Sequence, residues 1–165
     1  MSINYTEKGS GLHDAIAAAG HQLWQLDGTW ISSDDVAVQA IIDGYDPLPP
    51  AREKKWREIQ ARRDALTAGG VTVGAHKFHS DTDSRIKQLG LVMMGAGIPG
   101  GLQWKTMSGV FVTMRPTLAL QIFQATVASD AAIFEAAEAH KAAAFALPTA
   151  AQIDTYDFSA GWPAV

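Results

Sequence analysis

The chain has 165 residues, 47% hydrophobic and 18% charged, with no cysteine and a formal charge of −4. That length fits one ordinary domain or two very small ones. Zero cysteine excludes disulfides, thiol catalysis and cysteine zinc sites, and the acidic balance argues against a broad nucleic-acid-binding surface.

No run approaches the 18 apolar residues of a membrane span, and the first residues lack a basic stretch followed by an apolar one. Neither a membrane segment nor a secretory signal is therefore expected. Residues 1–10 are polar and aperiodic; they read as a tail, or as an arm ordered by a partner. Leu12 to Ala19 predicts a short helix stopped by Gly20. Residues 22–26, Asp27-Gly28 and 29–31 form a hairpin signature, with Leu26 opposite Thr29 and Trp24 opposite Ile31. Ser32-Ser33-Asp34-Asp35 starts a second helix, with a serine as cap and Gly44 as its end.

Three prolines between Tyr45 and Pro50 predict an irregular, stiff linker, the best boundary in the chain. From Ala51 to Ala68 the spacing predicts a basic helix whose apolar stripe is thin: Trp56, Ile59 and Leu66, with Arg63 interrupting it. Six cations against three carboxylates leave that helix at +3 and the remaining chain at −7. A second hairpin follows over residues 71–79, turning at Gly74-Ala75. A helix starting near Ser80 comes next, with Ser80 and Asp83 as a shortened capping box and Ile86, Leu89, Val92 and Met93 as its buried stripe. A third hairpin turns at Ser108-Gly109. Pro116 opens the longest helix, to about Leu147, with Leu118, Ile122, Ala125 (with Thr126), Ser129, Ile133 and Ala136/Ala137 recurring at helical spacing and a break or kink near Ser129-Asp130. Residues 150–157 predict a last short helix. Hairpins with tight turns, interspersed with helices, argue an α+β fold. The expected division is a small attachment segment over 1–50 and an α+β body over 51–165.

Little in the chain points to chemistry. His76, His79, Asp81 and Asp83 are the one metal-like cluster, but strand alternation turns His76 and His79 to opposite faces. Helix capping and packing around Phe78 is the expected use, and no metal or cofactor is assigned. The glycines at 95, 97, 100 and 101 follow a helix and lack the Lys-Ser/Thr of a phosphate loop. No Gly-x-Ser-x-Gly elbow occurs. Glu135 and Glu138 are a helical surface pair. No catalytic residue is assigned, so the chain is read as non-enzymatic. The five tryptophans carry the stronger signal, because small modules with large apolar side chains to spare use them as interface anchors. Trp24, Trp30, Trp56, Ile59 and Arg63 are the candidate partner-binding residues, with Trp56, on a helix with a thin stripe and a positive surface, the first choice.

Arg52-Glu-Lys-Lys-Trp56-Arg-Glu-Ile59 with Arg62-Arg63-Asp64, then Gly74-Ala-His76-Lys-Phe78-His-Ser80-Asp81 running into Ser84-Arg85-Ile86, then Trp104-Lys-Thr106 and Gly161-Trp162-Pro163, form an ordered set. In that order they resemble a domain of unknown function that recurs in tailed-bacteriophage tail and tail-fibre-region proteins. Residues 26–30 and 41–47 resemble N-terminal segments of small phage tail proteins. The resemblance implies a virion component of baseplate or fibre, made in the bacterial host cytoplasm and carried in the tail. It implies binding to other tail subunits in several copies, threefold in the usual fibre context, with no nucleic acid and no membrane as partner. A tail-fibre assembly chaperone absent from the mature particle is the alternative.

Overall fold

The structure is a computed structural model that describes residues 3–9 and 11–164. In chain order the elements are α1 (Gly11–Ala18), β1 (Leu23–Leu26), β2 (Thr29–Ser32), α2 (Asp35–Gly44), α3 (Leu48–Thr67), β3 (Val71–Val73), β4 (His76–Phe78), α4 (Thr82–Met94), β5 (Gln103–Lys105), β6 (Phe111–Thr113), α5 (Pro116–Phe145) and α6 (Ala150–Asp154). A 3₁₀ turn, Gly95–Gly97, follows α4. The fold is α+β. Its strands form three separate two-stranded antiparallel hairpins, not one sheet.

The chain divides into two compact units: Met1–Arg57 with Ala142–Asp157, and Glu58–Lys141 with Phe158–Val165. The division expected at the proline segment therefore falls elsewhere, inside α3 and near the end of α5. Pro49 and Pro50 lie in the first turn of α3. There the missing N–H costs nothing, because first-turn donors have no intrahelical partner.

In the first unit, α1 ends as expected. Gly20 takes φ +82°, and His21 N–H reaches back to the Ile16 carbonyl at 3.1 Å. Asp27 and Gly28 both take positive φ, which sets the hairpin register Leu26 to Thr29 and Trp24 to Ile31. The cap of α2 is Asp34 and not a serine: its carboxylate accepts from Val36 N and Ala37 N, while Ser32 Oγ donates to Asp35 at 2.7 Å. Ile3, Leu12, Ile16, Val38 and Ile42 form a small core. Residues 3–9 are thus no free tail. Ile3 enters that core, Asn4 exchanges hydrogen bonds with Gln39, and Lys8 donates to the carbonyls of Asp43 and Tyr45.

The second unit is built on Val71, Phe78, Leu91, Ile98, Met114, Ala119 and Ile122. The inward face expected of α5 is confirmed at Ile122, Thr126, Ile133 and Ala137, all buried. That helix runs unbroken through Asp130, about 45 Å over its 30 residues at 1.5 Å each. The Asp130 carboxylate takes a fork from the Arg85 guanidinium (Nη2 to Oδ1 2.9 Å). The same guanidinium donates to the carbonyls of Ser80 and Thr67. Hydrogen bonding to Asp130 holds Arg85 still more firmly in its charged form. The cap of α4 is Asp81, not Ser80. Ser80 is buried, accepting from Gly70 N–H (2.8 Å) and donating to the Thr67 carbonyl (2.6 Å). The second and third hairpins are tied by Met107 N–H to the Lys77 carbonyl at 2.9 Å.

The buried stripe expected on α4 is corrected. Gln88 and Leu91 are buried, whereas Ile86, Leu89 and Met93 are exposed, Met93 at 80%. By length and composition alone, α5 is apolar enough to cross a membrane, with 22% of its most apolar stretch buried. Alanine carries that hydropathy without forming any single long run of bulky residues.

Two carboxylates at helix starts, Asp35 in the first turn of α2 and the cap Asp81 of α4, link sequence to acid stability. The Ser32 hydroxyl lowers Asp35, and the Ser84 hydroxyl and N–H lower Asp81, both below the ordinary value of 3.8. A carboxylate depressed on folding stabilises fully above its unfolded pKa and loses that contribution as pH falls through its lowered folded value. The melting temperature is therefore expected to fall on acidification below the ordinary carboxylate range, and Asp81→Asn to flatten that slope. Calorimetry across pH checks both; an acid-independent melting temperature in the unsubstituted chain contradicts the assignment.

Candidate interaction surfaces

The basic stretch of α3 is spent internally. Arg52 donates to the carbonyl of Phe145 at 2.9 Å, and its guanidinium lies 5.8 Å over the Phe145 ring. Lys55, buried, donates to the carbonyl of Asp154 at 3.0 Å, and Lys54 pairs with its carboxylate at 3.1 Å. Phe145 and Asp154 close α5 and α6. The cations therefore satisfy orphan carbonyls and the negative ends of two helix dipoles. Arg57 pairs with Glu53 one turn away at 2.7 Å.

The predicted partner residues separate accordingly. Ile59 is completely buried, a core residue and not a contact surface. Its place on the thin stripe is what the core uses. Arg63 pairs with its neighbour Asp64. Trp56 is half-buried. Trp30 turns inward from β2 and stacks on Tyr5, ring centroids 4.0 Å apart, beside His13. Trp24 alone of the five opens to solvent. It sits on the other face of the same hairpin, 43% exposed, with Leu26 two residues on at 56%. Next to Trp24 is a cleft of about 430 Å³ lined by His13, Ile16, Ala17, His21, Gln22 and Leu23.

A second cleft, about 180 Å³, lies among Lys8, Asp14, Tyr45, Lys54, Arg57 and Asp154. Its three cations already bond to carbonyls, Asp154 and Glu53 respectively. Among the described residues, no three His, Cys, Asp or Glu side chains stand together as a metal set. His79 Nδ1 is 4.0 Å from Asp81 Oδ2.

The second unit carries apolar surface that sequence reading missed. Ile86, Leu89 and Met93 are exposed on α4, and Leu120, Val127 and Phe134 on α5. Phe111 is exposed at the third hairpin, across from Lys105. The signal on α5 was present as a seven-residue spacing of large side chains outside the alanine-rich core stripe.

Residues 50–160 match the family described as Domain of unknown function (DUF4376). The chain belongs to the DUF4376 family. No match emerged among curated proteins or among solved structures. The DUF4376 segment holds Phe78, Ser80, Arg85 and Thr106, which serve packing and backbone satisfaction here. The hairpin that carries Trp24 lies outside it.

Proposed function

We propose that this DUF4376 protein is a non-enzymatic structural protein of a bacteriophage tail, a baseplate or tail-fibre component that binds neighbouring tail subunits. The tail context rests on the resemblance of residues 26–30, 41–47 and the ordered motifs after Arg52. The observation that carries the binding role is the Trp24–Leu26 face, large apolar side chains left open beside a cleft on a hairpin whose other face is already packed. A tryptophan bordering a groove is the side chain most often found to dominate an interface. The chain would be made in the bacterial cytoplasm and act in the virion tail, in several copies. A fibre-assembly chaperone is the second reading.

Mass spectrometry of purified particles separates the two readings: presence in intact tails supports the structural one, and presence only in assembly intermediates supports the chaperone. Trp24→Ala combined with Leu26→Ser is expected to reduce tail incorporation about 10- to 30-fold, the effect of losing one interface anchor, with the circular dichroism of the chain unchanged. Undiminished incorporation would reject this face as the contact.

A further inference from the structure

On α5, Ala125, Ser129, Ala132, Ala136 and His140 recur three and four apart, and all are half-buried. They share one helix face. Residues 158–164 belong to the same unit and lie along this face. At its far end, the His140 ring stands 5.1 Å from the Trp162 ring and 6.5 Å, edge-on, from that of Phe158. Gly161 takes φ +87°, and a β-carbon there would come within 3.3 Å of His140 Nε2. Glycine at 161 thus both turns the chain and lets the imidazole close in. The Trp162 indole N–H donates to the Phe158 carbonyl at 2.7 Å, which folds the segment onto itself. Nearer the start of α5, Pro163 and Ala164 border a cleft of about 280 Å³ against Ala125, Ser129, Ala132 and β3.

We propose that residues 160–164 are a strap, latched by Trp162 on His140, that covers this face of α5 and opens as a unit while the body of the second unit stays folded. Three observations carry it. First, the strap is not tied by its backbone. Among the described residues, 160–164 make no backbone hydrogen bond to α5 or β3, whereas β3 is paired along its length with β4. A segment held by side chains and not by a ladder belongs to the low-stability end of a fold. Second, the hold is concentrated. Trp162 and Pro163 are half-buried, while residues 159–161 and Ala164 are exposed. Loss of the Trp162 contact therefore frees the whole segment. Third, the covered face suits an extended chain. Its alanines and serine let a backbone approach closely, and Pro163 brings no N–H that would be left unsatisfied there. Opening releases an indole and uncovers the helix face in one step, so the strap is an autoinhibitory contact that withholds that face until it leaves. The inference stands on the second unit alone and does not rest on the tail reading or on Trp24.

Hydrogen exchange of the full chain, followed by nuclear magnetic resonance, tests this. The Trp162 indole N–H should exchange about 10- to 1,000-fold more slowly than a free indole, at a rate that sub-denaturing urea leaves unchanged, as local opening requires. The amide of Ile122, at the buried centre of the same helix, should be slowed far more and should accelerate with urea. His140→Ala should speed exchange at the Trp162 indole about 10-fold and leave Ile122 as it was. The chain has no native cysteine, so the thiol of Ser129→Cys reports the covered face. Its labelling by a bulky maleimide should rise by a similar factor when His140→Ala is added. An indole as open as free tryptophan overturns the proposal, as does one whose exchange follows urea in step with Ile122. Labelling of Ser129→Cys that stays constant while the indole opens overturns it too. So does indole protection that grows with chain concentration, which would place the strap on a second copy.

Discussion

Phe78→Ala is expected to cost about 3–5 kcal/mol of stability in the second unit, the range for deleting a fully buried aromatic side chain. Phe78 has no solvent exposure and is the largest fully buried side chain of the chain's described residues. It closes β4 opposite Val71 and packs among Leu91, Ile98, Met114, Ala119 and Ile122. It thus joins the second hairpin to α4, to the loop after it and to the start of α5. Two mechanisms add. The removed ring loses its transfer free energy, and the void left among five other side chains on four segments cannot collapse without moving a hairpin. Domains of this size are stable by about 5–15 kcal/mol, so the variant stands near the threshold of folding. Phe78→Leu, which retains most of the volume, is expected to cost about half as much or less. Urea unfolding followed by fluorescence measures both, and Trp104, packed against this cluster, is a local reporter. A loss below about 1 kcal/mol for Phe78→Ala would show that this core is far looser than its burial implies.

Local signals were legible and long-range ones were not. The Asp27-Gly28 turn and its register follow from backbone conformations that only those residue types take readily, so neighbours alone decide them. The core face of α5 was legible because isoleucines recur among alanines at helical spacing. The face of α4 was misassigned for the converse reason. Periodicity finds a stripe but not what covers it, and Gln88, itself buried, takes the inward position by donating to the carbonyl of His79 at 2.7 Å. No rule of spacing expects a glutamine at the centre of a buried face. The caps show the same limit: Ser80 and Asp81 are both good cap residues, and which one serves depends on whether Gly70 and Thr67, ten and more residues away, require the hydroxyl. The basic run of α3 reads as surface until the carbonyls at the ends of α5 and α6 arrive from ninety residues downstream. For the candidate site the outcome is similar. Trp24 and Trp30 are alike in the sequence, and strand alternation places them on opposite faces, but only Tyr5 and His13, from a segment read as a tail, decide which face is covered.

Gly70→Ala is expected to destabilise the second unit by about 2–4 kcal/mol, combining a positive-φ penalty with overpacking. Gly70 holds φ at +95° directly after α3, where its N–H meets Ser80 Oγ. A β-carbon there would overlap Met107 Sδ, and would stand 2.8 Å from the Phe78 carbonyl oxygen and 3.0 Å from Lys77 Cε. The thioether and the lysine stem can swing aside at small cost. The Phe78 carbonyl cannot, because its residue is fixed in β4 by pairing with Val71 and by its buried ring. Relief must then come from Gly70 moving outward, which stretches its bond to Ser80. Ser80 also donates to Thr67, whose carbonyl accepts from Arg85, so strain at one glycine reaches the ion pair with Asp130. Gly74, in the turn between β3 and β4, is the internal control. It too has positive φ, at +60°, but a β-carbon there meets nothing within 4 Å. Gly74→Ala should show the conformational penalty alone, about 1 kcal/mol, and the difference between the two variants isolates the steric part. Equal losses for Gly70→Ala and Gly74→Ala in matched urea titrations would mean that the backbone at Gly70 gives way, and that the Ser80–Thr67–Arg85 connection is slack.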